Sequence, residues 1–243
     1  MTAIDENGAN APDDKTILPA GVSAIDIALF LIAAGALYAA EIAIAPPPLY
    51  SGFIGIIGSF LAVFAIMKLR GQRFSDLGLR RPRRIILLPL WVVAIFVVTF
   101  AVALGGQLIA AQFIGGAPDV SKFAPLYQNL PLFLVSLVSI WVTAAFFEEI
   151  VYRGFLLGRL LNIIGDGLGP AIVATLLHAV MFGALHAYQG LLGVIATGLV
   201  AVVFGVFFYL QQRNLWALII VHGLIDTLSL IQFYLIGVPA AAQ

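Results

Sequence analysis

The chain is organised around the stretch FFEEIVYRG, residues 146–154, which places two adjacent carboxylates and an arginine in apolar surroundings. Residues 123–147 contain no Asp, Glu, Lys or Arg. A charge at the centre of a bilayer costs roughly 3 to more than 10 kcal/mol, so such residues persist where they pair or serve a function. On a helix Glu149 and Arg153 share a face, which predicts an ion pair. Glu148 lies one position round the helix and is free to face a cavity.

The alternative is an ion pair that only fixes helix packing. A single arginine balances one carboxylate, however, and the stretch carries two. The second acid therefore favours a functional site over a purely structural pair.

The composition predicts an all-α fold, a polytopic transmembrane helical bundle. Hydrophobic residues make up 62% of the 243 residues and charged residues only 10%, against about 25% charged in soluble domains. The uncharged runs 85–118 and 167–212 are each long enough for one or two spans, since a span takes about 20 residues. A β-barrel would need alternating segments, whereas these runs are continuous. The absence of Cys excludes disulfides and thiolate metal sites, and no signature of nucleic-acid binding is present.

We expect three regions along the chain. Residues 1–21 are polar and acidic, which predicts a disordered tail. Residues 22–110 hold the N-terminal transmembrane helices and a basic loop, 68–84, with seven of the 12 Lys and Arg residues. Residues 130–236 form the core that carries the chemistry.

About seven spans are expected, with the N-terminus in the cytoplasm. Basic residues concentrate on the cytoplasmic side of membrane proteins, and of the 12 Lys and Arg residues only Lys122 falls on the other side. Asp26 and Glu41, near the ends of the first span, are expected at the interfaces, with a cavity-lining position as the alternative for Glu41. The predicted spans cover approximately residues 23–45, 52–67, 85–108, 131–163, 170–188, 191–210 and 215–236.

Polar positions recur on two further helices. His178, Phe182 and His186 are spaced four apart on the predicted fifth helix, and His222 and Asp226 are four apart on the last, so each set shares a helix face. Each could be a hydrogen bond that packs the bundle. Together with the glutamates, however, they place most of the intramembrane ionisable groups on three separate helices.

Counting residues leaves the depth of these groups open. Glu148 and His186 lie at similar distances from the turn at residues 165–167, at about 1.5 Å per residue. His222 is only eight residues from Asn214, so it is level with them only if the helical hairpin extends beyond the bilayer or the helices tilt.

This constellation permits two chemistries. In one, Glu148 is a general base on water, His186 helps to hold that water, and His222, oriented by Asp226, donates to a developing oxyanion. In the other, Glu148, His186 and His222 bind a divalent metal, zinc by preference, which activates the water. No HExxH or GxSxG motif is present, so the common zinc-protease and serine-hydrolase arrangements are not indicated. Both chemistries hydrolyse an amide within or beside the membrane.

The three motifs, Glu148-Glu149-x-x-x-Arg153, Phe182-x-x-x-His186 and His222-x-x-x-Asp226, resemble those of the CPBP intramembrane proteases. That family includes the CAAX prenyl endopeptidases and bacterial proteins linked to bacteriocin processing and self-immunity, also known as Abi proteins. The resemblance covers about residues 130–230.

The resemblance implies a role for each matching residue. Glu148 would activate water with His186 as its partner, Glu149, Arg153 and Phe182 would support the site, and His222 would stabilise the oxyanion with the residue four positions later. That position is often Asn in the prenyl endopeptidases and is Asp226 here, which weakens the inference of a prenylated substrate. The resemblance leaves a metal-dependent and a metal-free glutamate mechanism open and assigns no role to His178.

The sequence thus predicts an intramembrane endopeptidase in a bacterial inner membrane. Its expected partners are membrane lipid and a peptide or protein substrate, and no nucleic acid. Two alternatives remain: a non-catalytic scaffold or immunity protein of the same fold, and a transporter or proton relay that uses the same acids and histidines.

Overall fold

The structure is a computed structural model, which describes residues 18–45, 48–165 and 167–238. Most of the predicted N-terminal tail, residues 1–17, lies outside the described residues. The same is true of Pro46 and Pro47, predicted to end the first span, and of Asp166 in the predicted turn.

The described part of the chain is helical throughout. Its longest unit is a continuous helix from Leu130 to Ile164, whose central part is a π-helix, the π segment Trp141–Leu157. The eight α-helices of the described residues are α1 (Ala20–Ile44), α2 (Phe53–Leu69), α3 (Leu88–Ile114), α4 (Leu130–Ile140), α5 (Gly158–Ile164), α6 (Leu168–Ala184), α7 (Gly190–Leu210) and α8 (Trp216–Leu235).

Five helical units are long and apolar enough to cross a membrane, and α2 and α6 are shorter apolar helices. These seven units correspond in order to the seven predicted spans. The all-helical, polytopic bundle predicted from the composition is therefore confirmed. The five long units are Ala20–Ile44, Ile85–Ile114, Leu130–Ile164, Ala187–Leu210 and Trp216–Leu235.

The antiparallel helices give the bundle two ends. At one, the basic loop meets the start of α8, where Leu215 N–H donates to the Gly78 carbonyl at 3.1 Å. At the other, the 115–129 loop meets the turn before α7, where Asp119 N–H donates to the Gln189 carbonyl at 2.9 Å. We call these the basic-loop end and the 115–129 end.

A glycine in the quoted stretch lets the basic loop reach the π segment. A Cβ built on Gly154 would lie 2.8 Å from the Leu77 carbonyl oxygen, so any larger residue would push the loop away. On the neighbouring face, the rings of Phe147 and Phe60 stack with centroids 4.0 Å apart and hold α2 against the segment. The basic loop and α2 thus both pack against the π segment.

The α5–α6 hairpin is fastened at the basic-loop end by a group of residues that we call the Asp26 cluster: Asp26, Arg70, Gln72 and Arg159. The Asp26 carboxylate accepts from Arg70 at 2.8 Å on one oxygen and from Arg159 at 3.0 Å on the other. Arg159 also donates to the Gln72 side chain. The hairpin therefore lies beside the start of α1 and the basic loop.

Asp26 and Glu41, near the two ends of α1, are both bonded within the protein. Asp26 is fully buried in the protein, and one of its two arginine partners, Arg159, is 133 residues away. Glu41 is also buried, and its carboxylate accepts from the backbone N–H groups of Gly52 and Gly55. Glu41 thus caps the start of α2, because the first N–H groups of a helix have no partner within it.

Candidate functional site

Glu148, Glu149 and Arg153 all lie on the π segment. The third acid of the motifs, Asp226, lies on α8. A π-helix bonds residue i to i+5, is rare, and occurs frequently at functional sites. The sequence spacing had predicted an ordinary α-helix here. Glu149 and Arg153 still share a face in the wider turn, and Glu148 points elsewhere, as expected.

The predicted pair of Glu149 and Arg153 is present. Arg153 Nη1 donates to Glu149 Oε1 at 2.7 Å, and both side chains are fully buried. Within the described ranges, Glu149 Oε2 and the Nε and Nη2 atoms of Arg153 have no hydrogen-bond partner. The guanidinium instead lies over two rings, 4.3 Å from the centroid of Phe182 and 5.0 Å from that of Phe204.

His222 joins this pair from α8. Its Nδ1 lies 2.8 Å from Glu149 Oε1, the oxygen that also accepts from Arg153. A carboxylate oxygen with two donors from different helices ties the π segment to α8. This contact between Glu149 and His222 was not predicted, because no sequence spacing indicates which faces of two distant helices meet.

The predicted pairing of His222 with Asp226 is looser than expected. His222 Nε2 and Asp226 Oδ2 are 3.6 Å apart, which is within the range of an ion pair but too long for a hydrogen bond. The orientation of the His222 ring is therefore fixed by Glu149, and Asp226 supplies a nearby negative charge.

Glu148 differs from its neighbour. It is half-buried, and no hydrogen bond or ion pair joins its side chain to any residue that the structure describes. Its carboxyl lies within electrostatic range of His222, Asp226 and Arg153. A carboxylate that lies near such groups and is bonded to none of them is available to bind a ligand or water.

His186 lies close to its predicted position but not on a regular helix. We expected the fifth helix to reach about residue 188, whereas α6 ends at Ala184 and His186 occupies the following turn. His186 Nδ1 is 3.0 Å from the Phe182 carbonyl oxygen. A carbonyl only accepts, so Nδ1 carries the hydrogen and Nε2 of the neutral ring keeps a lone pair.

Phe182 connects the histidine to the π segment. Its ring centroid is 5.0 Å from that of His186 and 5.2 Å from that of Tyr152, in addition to the Arg153 contact. Phe182, for which a supporting role is expected, thus packs against both His186 and the π segment.

His178 is fully buried below Phe182, with ring centroids 6.1 Å apart. Neither of its ring nitrogens has a hydrogen-bond partner among the described residues. No contact joins it to Glu148, Glu149 or His222, so it stays apart from the groups above.

Sequence reasoning used Lys122 only to orient the chain, yet the structure brings it beside the site. Its Nζ lies 3.9 Å from the centroid of the Tyr188 ring, and the His186 and Tyr188 ring centroids are 5.9 Å apart. The isolation of Lys122 on an otherwise uncharged side of the sequence was the one signal that could have pointed to it.

The groups proposed from the sequence as metal ligands do not converge as a metal site requires. Over the described ranges, no three His, Asp or Glu side chains are grouped closely enough to hold a metal ion. His222 also has its Nδ1 engaged by Glu149.

Comparison with known proteins finds one matching family. Residues 130–228 match the family described as Type II CAAX prenyl endopeptidase Rce1-like. No curated protein and no solved structure is significantly similar to the chain. The matched segment contains the π segment, α6, α7 and the site-bearing part of α8.

The matched segment belongs to the CPBP/CAAX protease family, which confirms the resemblance drawn from the three motifs. The match supports a CAAX-type intramembrane protease in general, and the five long apolar helical units support an integral membrane protein.

Proposed function

We propose that the protein is an endopeptidase that cleaves a membrane-associated substrate with water activated by Glu148. The observation that carries the proposal is the contrast between two adjacent glutamates. Glu149 is fixed by Arg153 and His222, whereas Glu148 has no bonded partner among the described residues. A general base must be free to take a proton and held near the groups that stabilise the reaction.

In the first step, a water lies between Glu148 and the carbonyl carbon of the scissile amide. Glu148 takes one proton while the water oxygen attacks that carbon, which gives a tetrahedral intermediate with a negative oxygen. The Nε2 lone pair of His186 accepts a hydrogen bond from the second water hydrogen, because Nδ1–H is committed to the Phe182 carbonyl. His186 thereby orients the water.

In the second step, Glu148 returns its proton to the amide nitrogen and the C–N bond breaks. The products are a new carboxyl terminus and a new amino terminus. Glu148 ends as a carboxylate, ready for another water.

The developing oxyanion is assigned to His222. Its Nδ1–H donates to Glu149, so a second donation from Nε2 requires the doubly protonated ring. Asp226, 3.6 Å from Nε2, is the negative charge next to that proton. Fixed donors in a water-poor site stabilise an oxyanion more than the same donors do in water.

Glu149 and Arg153 act as positioning residues. They hold His222 through one shared oxygen, and Arg153 packs on Phe182, which carries the carbonyl that orients His186. One ion pair thus contacts the partners that position both histidines.

We further propose that the protein lies in a bacterial inner membrane, with the N-terminus and the basic loop in the cytoplasm. The concentration of basic residues in that loop supports this orientation. The family description supports a CAAX-type peptide as substrate, while Asp226, at a position that is often Asn in the prenyl endopeptidases, argues for testing unprenylated peptides alongside prenylated ones.

The experiment compares new chain ends in the membrane proteome of cells that carry the wild type, Glu148→Ala or no protein. Ends that appear only with the wild type would support a protease and give candidate substrates for the purified protein. Equal sets of ends, with both proteins well expressed, would overturn the proposal and favour a scaffold or immunity role.

The purified protein also tests a bound zinc. Metal analysis together with cleavage in the presence of a strong chelator distinguishes the two chemistries. We expect cleavage to persist without metal. Loss of cleavage that zinc restores would replace the direct glutamate mechanism with a metal-assisted one.

A further inference from the structure

Lys122 carries a positive charge that no described residue neutralises. Its side chain is half-buried, and its Nζ lies over two aromatic rings, 3.9 Å from the Tyr188 centroid and 5.1 Å from the Phe123 centroid. No hydrogen-bond acceptor or carboxylate is paired with it in the part of the chain that the structure describes. Aromatic rings stabilise an ammonium modestly but leave its N–H donors unused.

The same lysine lines a cavity of about 460 Å³ at the 115–129 end of the bundle. The other walls are mainly apolar. They include Leu49, Tyr50, Ala124, Pro125 and Leu132. Sites that bind ligands are commonly of this kind, with apolar walls and a few placed polar groups.

Lys122 also lies next to the proposed catalytic groups. Its charge is within electrostatic range of both Glu148 and His186, and Tyr188 separates it from the His186 ring. Lys122 thus lines the cavity and also interacts electrostatically with two of the proposed catalytic groups.

The energetics favour an anion at this point. Burial lowers the pKa of Lys122, while the carboxylates of Glu148 and Glu41 act in the opposite direction. Glu41 is committed to the N–H groups of Gly52 and Gly55, and Glu148 is needed by the water. A carboxylate brought by a ligand would offset the desolvation of the ammonium without withdrawing either residue.

We propose that Lys122 is a substrate-binding residue that selects peptides with a carboxylate near the scissile bond, while the adjoining cavity holds a neighbouring apolar side chain. This inference rests on the proposed endopeptidase function and adds a specificity determinant to it. The carboxylate belongs either to an acidic side chain or to the end of the substrate chain. Lys122 lies outside the residues that match the family.

The test uses full-length protein in proteoliposomes and fluorogenic peptides built on a site cleaved in cells. One peptide pair ends in a free carboxylate or an amide, and a second pair carries Glu or Gln at an internal position. Each pair is cleaved by the wild type, Lys122→Ala, Lys122→Arg and Lys68→Ala. Lys68 is the matched control, since its Nζ also lies over a ring, 5.4 Å from the Phe64 centroid, but at the basic-loop end.

We expect the wild type and Lys68→Ala to prefer the carboxylate form of one pair by about tenfold in kcat/KM, the effect of one charge-assisted hydrogen bond. Lys122→Ala should lose that preference through a higher KM with kcat nearly unchanged, and Lys122→Arg should keep most of it. The pair that shows the preference identifies the source of the carboxylate. Filling the cavity with Ala124→Phe should reduce cleavage most for peptides with a large apolar residue beside the carboxylate.

Two results would overturn the inference, and they are distinguishable. Cleavage by the wild type with the same preference in Lys122→Ala would remove the role of Lys122 and leave the proposed function intact. Failure of the wild type to cleave any site, with no difference from Glu148→Gln, would remove the proposed function and the inference together.

Discussion

Two groups of buried charge lie in this bundle, and they differ in how their acids are balanced. In the Asp26 cluster one carboxylate meets two arginines, and both of its oxygens are bonded. The second group, which we call the site cluster, comprises Glu148, Glu149, Arg153, His222 and Asp226. There, three acids face one arginine and one histidine, and Glu148 is left unbonded within the described chain.

The difference indicates which cluster is structural. Buried ions are costly unless they are paired, so a cluster whose only carboxylate has both oxygens bonded needs no further explanation than packing. A carboxylate that stays unpaired within a cluster of otherwise bonded groups is a candidate for chemistry. The two clusters should therefore respond differently to the same kind of substitution.

The largest effect is expected for Arg153→Ala. This change leaves Glu149 buried with His222 alone and removes the guanidinium from the rings of Phe182 and Phe204. We expect a loss of about 3–5 kcal/mol in the free energy of unfolding, as for other broken buried pairs, together with loss of cleavage.

Thermal melting in detergent and cleavage by the remaining folded protein measure the two effects. Arg153→Lys is the control, because it keeps the charge but not the fork of donors. An unchanged melting curve for Arg153→Ala would show that the pair does not support the site.

Asp26→Ala should match the loss of stability without the loss of chemistry. It leaves Arg159, which is nearly fully buried, without its carboxylate, so we again expect about 3–5 kcal/mol of destabilisation. The cleavage rate per folded molecule should stay within about twofold, because surviving molecules keep the site cluster intact.

Asp26→Asn is the milder variant, because the amide keeps the shape of the side chain and one hydrogen-bond acceptor. If Asp26→Ala abolished cleavage in protein that is demonstrably folded, the separation of the two clusters would be mistaken.

The two ion pairs that these variants break differ in whether the sequence predicts them. The Glu149–Arg153 pair was predictable because it is local, four residues apart on one helix. The Asp26–Arg159 pair was not, because its partners are 133 residues apart and hydropathy places Asp26 only near the end of a span. The same limit applies to the contact between Glu149 and His222.

The order of the motifs predicted which residues would gather, but not how. The structure reassigns the fixing of His222 from Asp226 to Glu149 and ends α6 before His186. Both depend on the geometry between helices, which spacing along one helix does not encode. Lys122 lies outside all three motifs, and its packing on Tyr188, which no spacing predicts, places it near His186.

The smallest effect is expected for Asp226→Asn. The distance of 3.6 Å to His222 is too long for a hydrogen bond, so this pair is looser than the bonded pairs of the two clusters. Cleavage should fall by less than about tenfold, and stability should change little.

Steady-state kinetics beside Asp226→Ala would separate the charge from the shape of this side chain. A loss of several hundredfold in Asp226→Asn would mean that the carboxylate takes part directly in the reaction.

The central claim is that Glu148 serves chemistry and contributes little to the fold. The most direct measurement is cleavage by purified Glu148→Gln, normalised to the fraction folded in the same preparation. We predict a fall of about 10²–10⁴-fold, the usual contribution of a general base, with a melting temperature close to that of the wild type. Cleavage at the wild-type rate, or loss of cleavage explained entirely by unfolding, would contradict the account.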